Sequence, residues 1–177
     1  MIITYQGVES FKISQGDLSI AVNPQGKTSA DITLFSATRN ETSEKAGFVI
    51  TGPGEYEIKD VFIKGFLHTV DGVVKTTYVI SYENMKLCFL GAAEVPKDIE
   101  DVDILFVPVN ADAAAAYKLA VSLEPSVIIP MHYDDKALAQ FIKESGEGKV
   151  DPIEKFVVKK KDLEGKEGEV IVLKDEI

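Results

Sequence analysis

The sequence predicts an α/β sandwich with helices outside a sheet core, on three observations. The chain opens with a series of short β-rich runs separated by turn residues, read as antiparallel strands. Its last part alternates apolar runs with helical stretches, a β-α-β-α-β order. Hydrophobic residues make up 45% of its 177 positions, and a chain of this length buries about two-thirds of its surface without needing a disulfide or metal to fold. No linker divides it, so residues 1–177 read as a single domain.

Each element follows from local chemistry. Residues 10–14 alternate, with Phe11 and Ile13 on one face and Lys12 on the other. Residues 18–22 follow across the Gln15-Gly16-Asp17 turn, so the two runs form a hairpin. Asn23-Pro24-Gln25-Gly26 breaks the strand, because Pro lacks the donor a central strand needs. Residues 31–35 are a further short β run. Residues 36–47 are polar without a helical stripe and read as a loop or one short helix. After the apolar residues 48–50, Gly52-Pro53-Gly54 signals a turn. Residues 55–58 and 61–67 form a second hairpin joined by Lys59-Asp60, and 76–82 and 85–90 a third turning at Glu83-Asn84. All are rich in the β-branched and aromatic residues that suit a pleated, half-buried surface. Residues 104–107 are continuously apolar, as in a strand covered on both faces. Residues 111–123 are Ala-rich with helical spacing and stop at Pro125. Residues 127–129 are another apolar strand, and 136–144 place Leu138, Phe141 and Ile142 on one helical stripe that Gly146 ends. Residues 156–158 and 170–173 are short closing strands.

Charge narrows the function. With 19 Lys+Arg against 29 Asp+Glu the net charge is −10, the wrong sign for neutralising phosphates, so no nucleic-acid partner is expected. Lys159-Lys160-Lys161 runs straight into Asp162 and Glu164 and reads as a solvated turn. No apolar run approaches the ~18 residues of a membrane span. The N-terminus lacks the charged and apolar regions of a signal peptide. No membrane partner and a cytoplasmic location are therefore expected. One cysteine and two histidines exclude an internal disulfide and a His/Cys-rich metal cluster.

Few residues offer chemistry. His132 follows the apolar strand in Ile128-Ile129-Pro130-Met131-His132-Tyr133, at a carboxyl strand end, where α/β sheets gather ligands. Its imidazole suits a metal ligand or general base, and Asp134 and Asp135 could add oxygen ligands. A hydrogen-bonded histidine beside a helix cap at Asp135 explains it equally. His68 ends a strand with Asp71 three residues on, a pairing that could orient an imidazole, or it is a surface histidine. Cys88, between Leu87 and Phe89, reads as a small core hydrophobe. Gly52-Pro53-Gly54 lacks the length and the Lys of a phosphate loop.

The order of segments resembles the metallo-β-lactamase-fold superfamily, in particular its compact Zn-dependent hydrolase-like group. Ile3-Thr4-Tyr5-Gln6-Gly7 with Ser10-Phe11-Lys12-Ile13 is similar to the opening strands, and Ile20-Ala21-Val22-Asn23-Pro24 to the next. Ala30-Asp31-Ile32-Thr33-Leu34-Phe35-Ser36 resembles the strand feeding the metal loop. Gly52 to Ile58, Leu87-Cys88-Phe89-Leu90-Gly91, Val102 to Val109 and Ile129-Pro130-Met131-His132-Tyr133 continue the likeness to the C-terminal part. The resemblance implies a compact αββα sandwich.

The departures concern the metal site. The family's His-x-His-x-Asp-His loop corresponds to Ala37-Thr38-Arg39-Asn40-Glu41-Thr42. Ala37, Arg39 and Thr42 thus stand for histidines and Glu41 for the aspartate. Alanine has no lone pair to give, and arginine stays cationic. Val70 stands at the family's middle histidine, with His68 two residues out of register. Ala92 stands for the bridging aspartate after Gly91, and Asn23 and Val8 for an aspartate and a histidine. Only His132 matches a ligand by position, whereas a catalytic Zn needs about three protein ligands and an open position. The leading expectation is a catalytically silent member of the fold, a binding or partner module that works with a protein or a second copy and needs no cofactor. The alternative is a hydrolase with a rebuilt single-metal site from His132, His68, Glu41 and Asp71, and Zn enters only there.

Overall fold

The computed structural model describes residues 1–37, 47–110 and 112–176. Two mixed sheets face each other. The first has the order β12-β1-β2-β3-β4-β5, from β1 (Ile2–Tyr5), β2 (Phe11–Gln15), β3 (Leu18–Val22), β4 (Ile32–Leu34), β5 (Phe48–Ile50) and β12 (Phe156–Val157). The second has the order β13-β11-β10-β9-β8-β7-β6. Its strands are β6 (Gly54–Ile58), β7 (Val61–Val70), β8 (Val73–Tyr82), β9 (Met85–Phe89), β10 (Ile104–Pro108), β11 (Val127–Met131) and β13 (Glu169–Val170). This is the α/β sandwich that the sequence predicts.

The core lies between the sheets because alternate residues point there. Phe11 and Ile13 of β2, Ile20 and Val22 of β3, Val61 and Ile63 of β7, Tyr78 and Ile80 of β8 and Phe106 and Ile129 beyond form one buried cluster. Opposite faces of β9, β10 and β11 carry Cys88, Leu105, Val107 and Ile128 into a second cluster with Ala116, Ala120 and Phe141. Those last three belong to α1 (Ala113–Val121) and α2 (Asp135–Ser145). Among the described residues both α-helices therefore cover the outer face of the second sheet. Their ends are chemically marked. The Asp112 and Asp134 side chains accept from Ala115 N at 3.0 Å and Ala137 N at 2.7 Å, and Gly146 closes α2 at φ 72°, the residue best able to adopt that conformation.

Four expectations need correction. The hairpin β7–β8 is longer than residues 61–67 and 76–82 suggest, because Asp71 and Gly72 turn it at φ 50° and 77°. A two-residue Asp-Gly turn with both φ positive matches the twist of the flanking strands. β3, β4 and β5 pair in parallel, so the opening strands are not all antiparallel. The Ala-rich helix begins at Ala113, capped by Asp112, and the closing strand expected over 170–173 spans Glu169–Val170, with Leu173 only bridged to Ile153.

Candidate functional site

His132 is placed by the end of β11. All five residues of that strand are buried, and the chain leaves it through His132 itself, at φ 52°. That left-handed backbone aims the His132 N–H across the rim to the Val8 carbonyl at 2.6 Å. Val8 sits in the β1–β2 turn at φ 55°, and Asn23, after β3, at φ 47°. A β-branched residue rarely adopts such a φ, and non-glycine residues held in sparsely populated conformations cost roughly 1–3 kcal/mol each and gather at functional sites.

The side chains close a circuit around this rim. His132 Nδ1 lies 3.0 Å from Glu9 Oε1, and the same oxygen lies 3.8 Å from Lys75 Nζ. The Glu9 carbonyl accepts from Asn23 Nδ2 at 3.3 Å. Asn23 Oδ1 in turn accepts from Ser36 N at 2.8 Å and Ser36 Oγ at 3.1 Å. Ser36 O accepts from Thr76 N at 2.7 Å, and Ala37 bridges Lys75, which returns the circuit to the lysine. The carboxylate is 15% exposed, the lysine 29% and the imidazole 39%, so the charges are half shielded and the imidazole remains reachable from solvent.

The other expected site residues lie elsewhere or carry no donor. Ala37 places a methyl group beside Lys75, Ala92 is buried, and Val70 pairs with Val73 at the hairpin tip. Asp71 is half of the Asp-Gly turn, so the expected His68–Asp71 pairing is overturned: the carboxylate at His68 Nδ1 is Glu94, at 2.7 Å. His68 is 5% exposed, and its Nε2 is buried without a hydrogen-bond partner. Asp134 caps α2, its Oδ1 accepting from Ala137 N at 2.7 Å. Arg39, Glu41 and Thr42 lie outside the described residues. Among the described residues no three His, Cys, Asp or Glu side chains gather so as to hold a metal ion. Cys88 matches its reading as core: it is fully buried, and burial pushes its thiol up to about 12.

Sequence reasoning missed Glu9, Lys75 and Glu94. Glu9 had a signal, a charge inside the tight Gly7-Val8-Glu9-Ser10 turn next to the position where the family carries a histidine. Lys75 and Glu94 had none, since only pairing of distant strands brings them to the site.

The model of the beta-lactamase superfamily domain matches residues 2–132. No curated protein matches the chain. A Thermotoga maritima protein, provisionally described as a Zn-dependent hydrolase of the metallo-β-lactamase superfamily, superposes with a TM-score of 0.81 at 28% identity, over 97% of each chain. A Parabacteroides distasonis protein, provisionally described as a metal-dependent hydrolase, gives 0.69 at 18% identity over 97% of this chain and 93% of its own. The metallo hydrolase Igni18 of Ignicoccus hospitalis gives 0.64 at 16% identity over 89% and 99%. At those last two identities the likeness is one of fold.

Proposed function

The chain belongs to the beta-lactamase superfamily domain family, and from that premise we propose that it is a catalytically silent member, a single domain that acts by binding a ligand or protein partner. The observation that carries this reading is Lys75 beside Glu9 and His132. Here the Lys75 Nζ lies 3.8 Å from the Glu9 oxygen that also meets His132 Nδ1, and a cation there opposes a divalent ion at the same rim. Zn dependence is part of the description of the Thermotoga protein, but the donors of this chain do not fit such a metal. Alanine at 37, valine at 70 and alanine at 92 supply neither lone pair nor charge, and about three protein ligands are needed. Fold alone carries no activity with it.

Calorimetric titration with Zn and Mn, paired with a phosphodiesterase and lactonase screen, tests the reading. The expected result is weak or no metal uptake and no turnover. Stoichiometric uptake below micromolar Kd with metal-dependent turnover would overturn it.

A second reading, a metal-dependent hydrolase with a rebuilt single-metal site around His132 that draws in His68, rests on one observation, the unpartnered Nε2 of buried His68. It predicts that His68→Gln and His132→Gln each abolish any metal-dependent turnover. Turnover that survives both ends it.

A further inference from the structure

A concavity lies behind the turn that carries Glu9, on the outer face of the first sheet. Its floor follows from strand alternation. Phe11, Ile20 and Val22 point into the core, so Ser10, Lys12, Ser19 and Ala21 point outward, and Lys12 and Ala21 are direct cross-strand partners. Small residues at 10, 19 and 21 leave room above the sheet. The segment 24–30 between β3 and β4 forms the wall, tied down by Gln25 Nε2, which donates to Gln6 O at 3.1 Å and Gly7 O at 3.3 Å. The result is a cleft of about 440 Å³, within the roughly 300–1,000 Å³ range of small-molecule sites.

Its chemistry is unlike the rest of this acidic chain. The lining includes Lys12 and Lys27 and no Asp or Glu. Among the described residues neither lysine is in an ion pair. Asp31, whose carboxylate reaches the lining residue Ser19, is held by Ser19 N at 2.8 Å, Ser19 Oγ at 2.9 Å and Lys59 Nζ at 2.5 Å. Glu9 turns its carboxylate the other way, to His132 and Lys75. Ser10 provides a second, independent sign. It is 1% exposed, lines the cleft, and its Oγ has no hydrogen-bond partner. Thr33, in the cross-strand row of Lys12 and Ala21, has an equally orphaned Oγ1. Buried hydroxyls are nearly always satisfied, and one left open calls for an explanation.

We infer that this cleft binds a phosphate group, with Lys12 and Lys27 supplying charge and the Ser10 hydroxyl a donor. A tetrahedral dianion offers enough acceptors for all three, and charge-assisted hydrogen bonds to it are the strong ones. The site does not depend on the silent or hydrolytic character of the His132 rim, and its test needs no turnover.

The test is an NMR titration of the full chain with inorganic phosphate at fixed ionic strength, with methyl phosphate and acetate in parallel arms. Saturable shifts confined to segments 6–12 and 19–30 are expected for both phosphates and not for acetate. Tighter binding of methyl phosphate assigns the site to a phosphomonoester, and equal binding to free phosphate. Lys12→Gln combined with Lys27→Gln should weaken phosphate about tenfold. Ser10→Ala should raise the melting temperature of the free protein, because it removes an unsatisfied group, and reduce the stabilisation that phosphate confers. A hydroxyl that is only structural would show the first effect without the second. The inference is overturned if phosphate produces no saturable shift, if acetate matches it, or if the double lysine variant binds as the parent does.

Discussion

The space between the two sheets and the rim at the carboxyl ends of their strands obey different rules. Between the sheets, Phe89 stacks on Phe106 with centroids 3.8 Å apart, and Phe11 meets Phe106 edge-on at 4.8 Å. All three are buried, and their backbones lie in regular strands. At the rim, Val8, Asn23 and His132 hold left-handed backbones, and the His132 imidazole remains partly open to solvent. The core draws its stability from close packing and tolerates little change in volume. The rim holds strained geometry in place through a few directed hydrogen bonds. Chemistry can therefore be rewritten at the rim, ligand by ligand, while the packing that shapes the sandwich stays as it is.

The largest expected effect comes from the core. Phe106→Ala should cost about 3–5 kcal/mol in chemical denaturation. A loss below about 1 kcal/mol would mean that the aromatic cluster is not what holds the sheets together, and the contrast with the rim would fail. At the rim the sign should reverse. Val8→Gly relieves a β-branched residue at positive φ and should stabilise by about 1 kcal/mol, and destabilisation would show that the Val8 side chain matters more than its backbone. Smaller again is the coupling between Glu9 and Lys75. A double-mutant cycle with Glu9→Ala and Lys75→Ala should return about 0.5 kcal/mol, falling with added salt. Zero coupling would remove the cation from the rim's electrostatics.

The last effect is one of pH. Hydrogen bonds from Lys59 and then Ser19 hold the Asp31 carboxyl at about 2, against 3.8 for a free one. A depressed folded-state pKa contributes stability above the unfolded value of 3.8 that is lost as pH falls toward about 2. Carboxyl NMR should place its midpoint there, and Asp31→Asn should flatten that part of the acid limb. A midpoint near 3.8 would refute the bonding pattern.

Much of the scaffold was legible in the sequence because hairpins are local. Lys59-Asp60 and Glu83-Asn84 turn where they were expected, both pairs at positive φ. The Asp71-Gly72 turn was not read from the sequence, which placed the strands only over 61–67 and 76–82, whereas pairing runs on to Val70 and Val73. Parallel pairing of β3, β4 and β5 was not legible, since strands of three residues leave no periodic signature. At the site, His132 was legible from its place directly after the apolar strand β11. Its partners were not, since Glu9 lies 123 residues away and nothing local links the two.

Cys88 carries a consequence for measurement. Its thiol is the only one in the chain, it is wholly enclosed between β9 and the helical layer, and thiolate is the form that attacks labelling reagents. A disulfide reagent can reach it only when the second sheet opens. The rate of that single modification is thus a built-in gauge of how often the molecule opens. It can be read on the unaltered chain, with each ligand or rim variant compared by how far it slows the reaction.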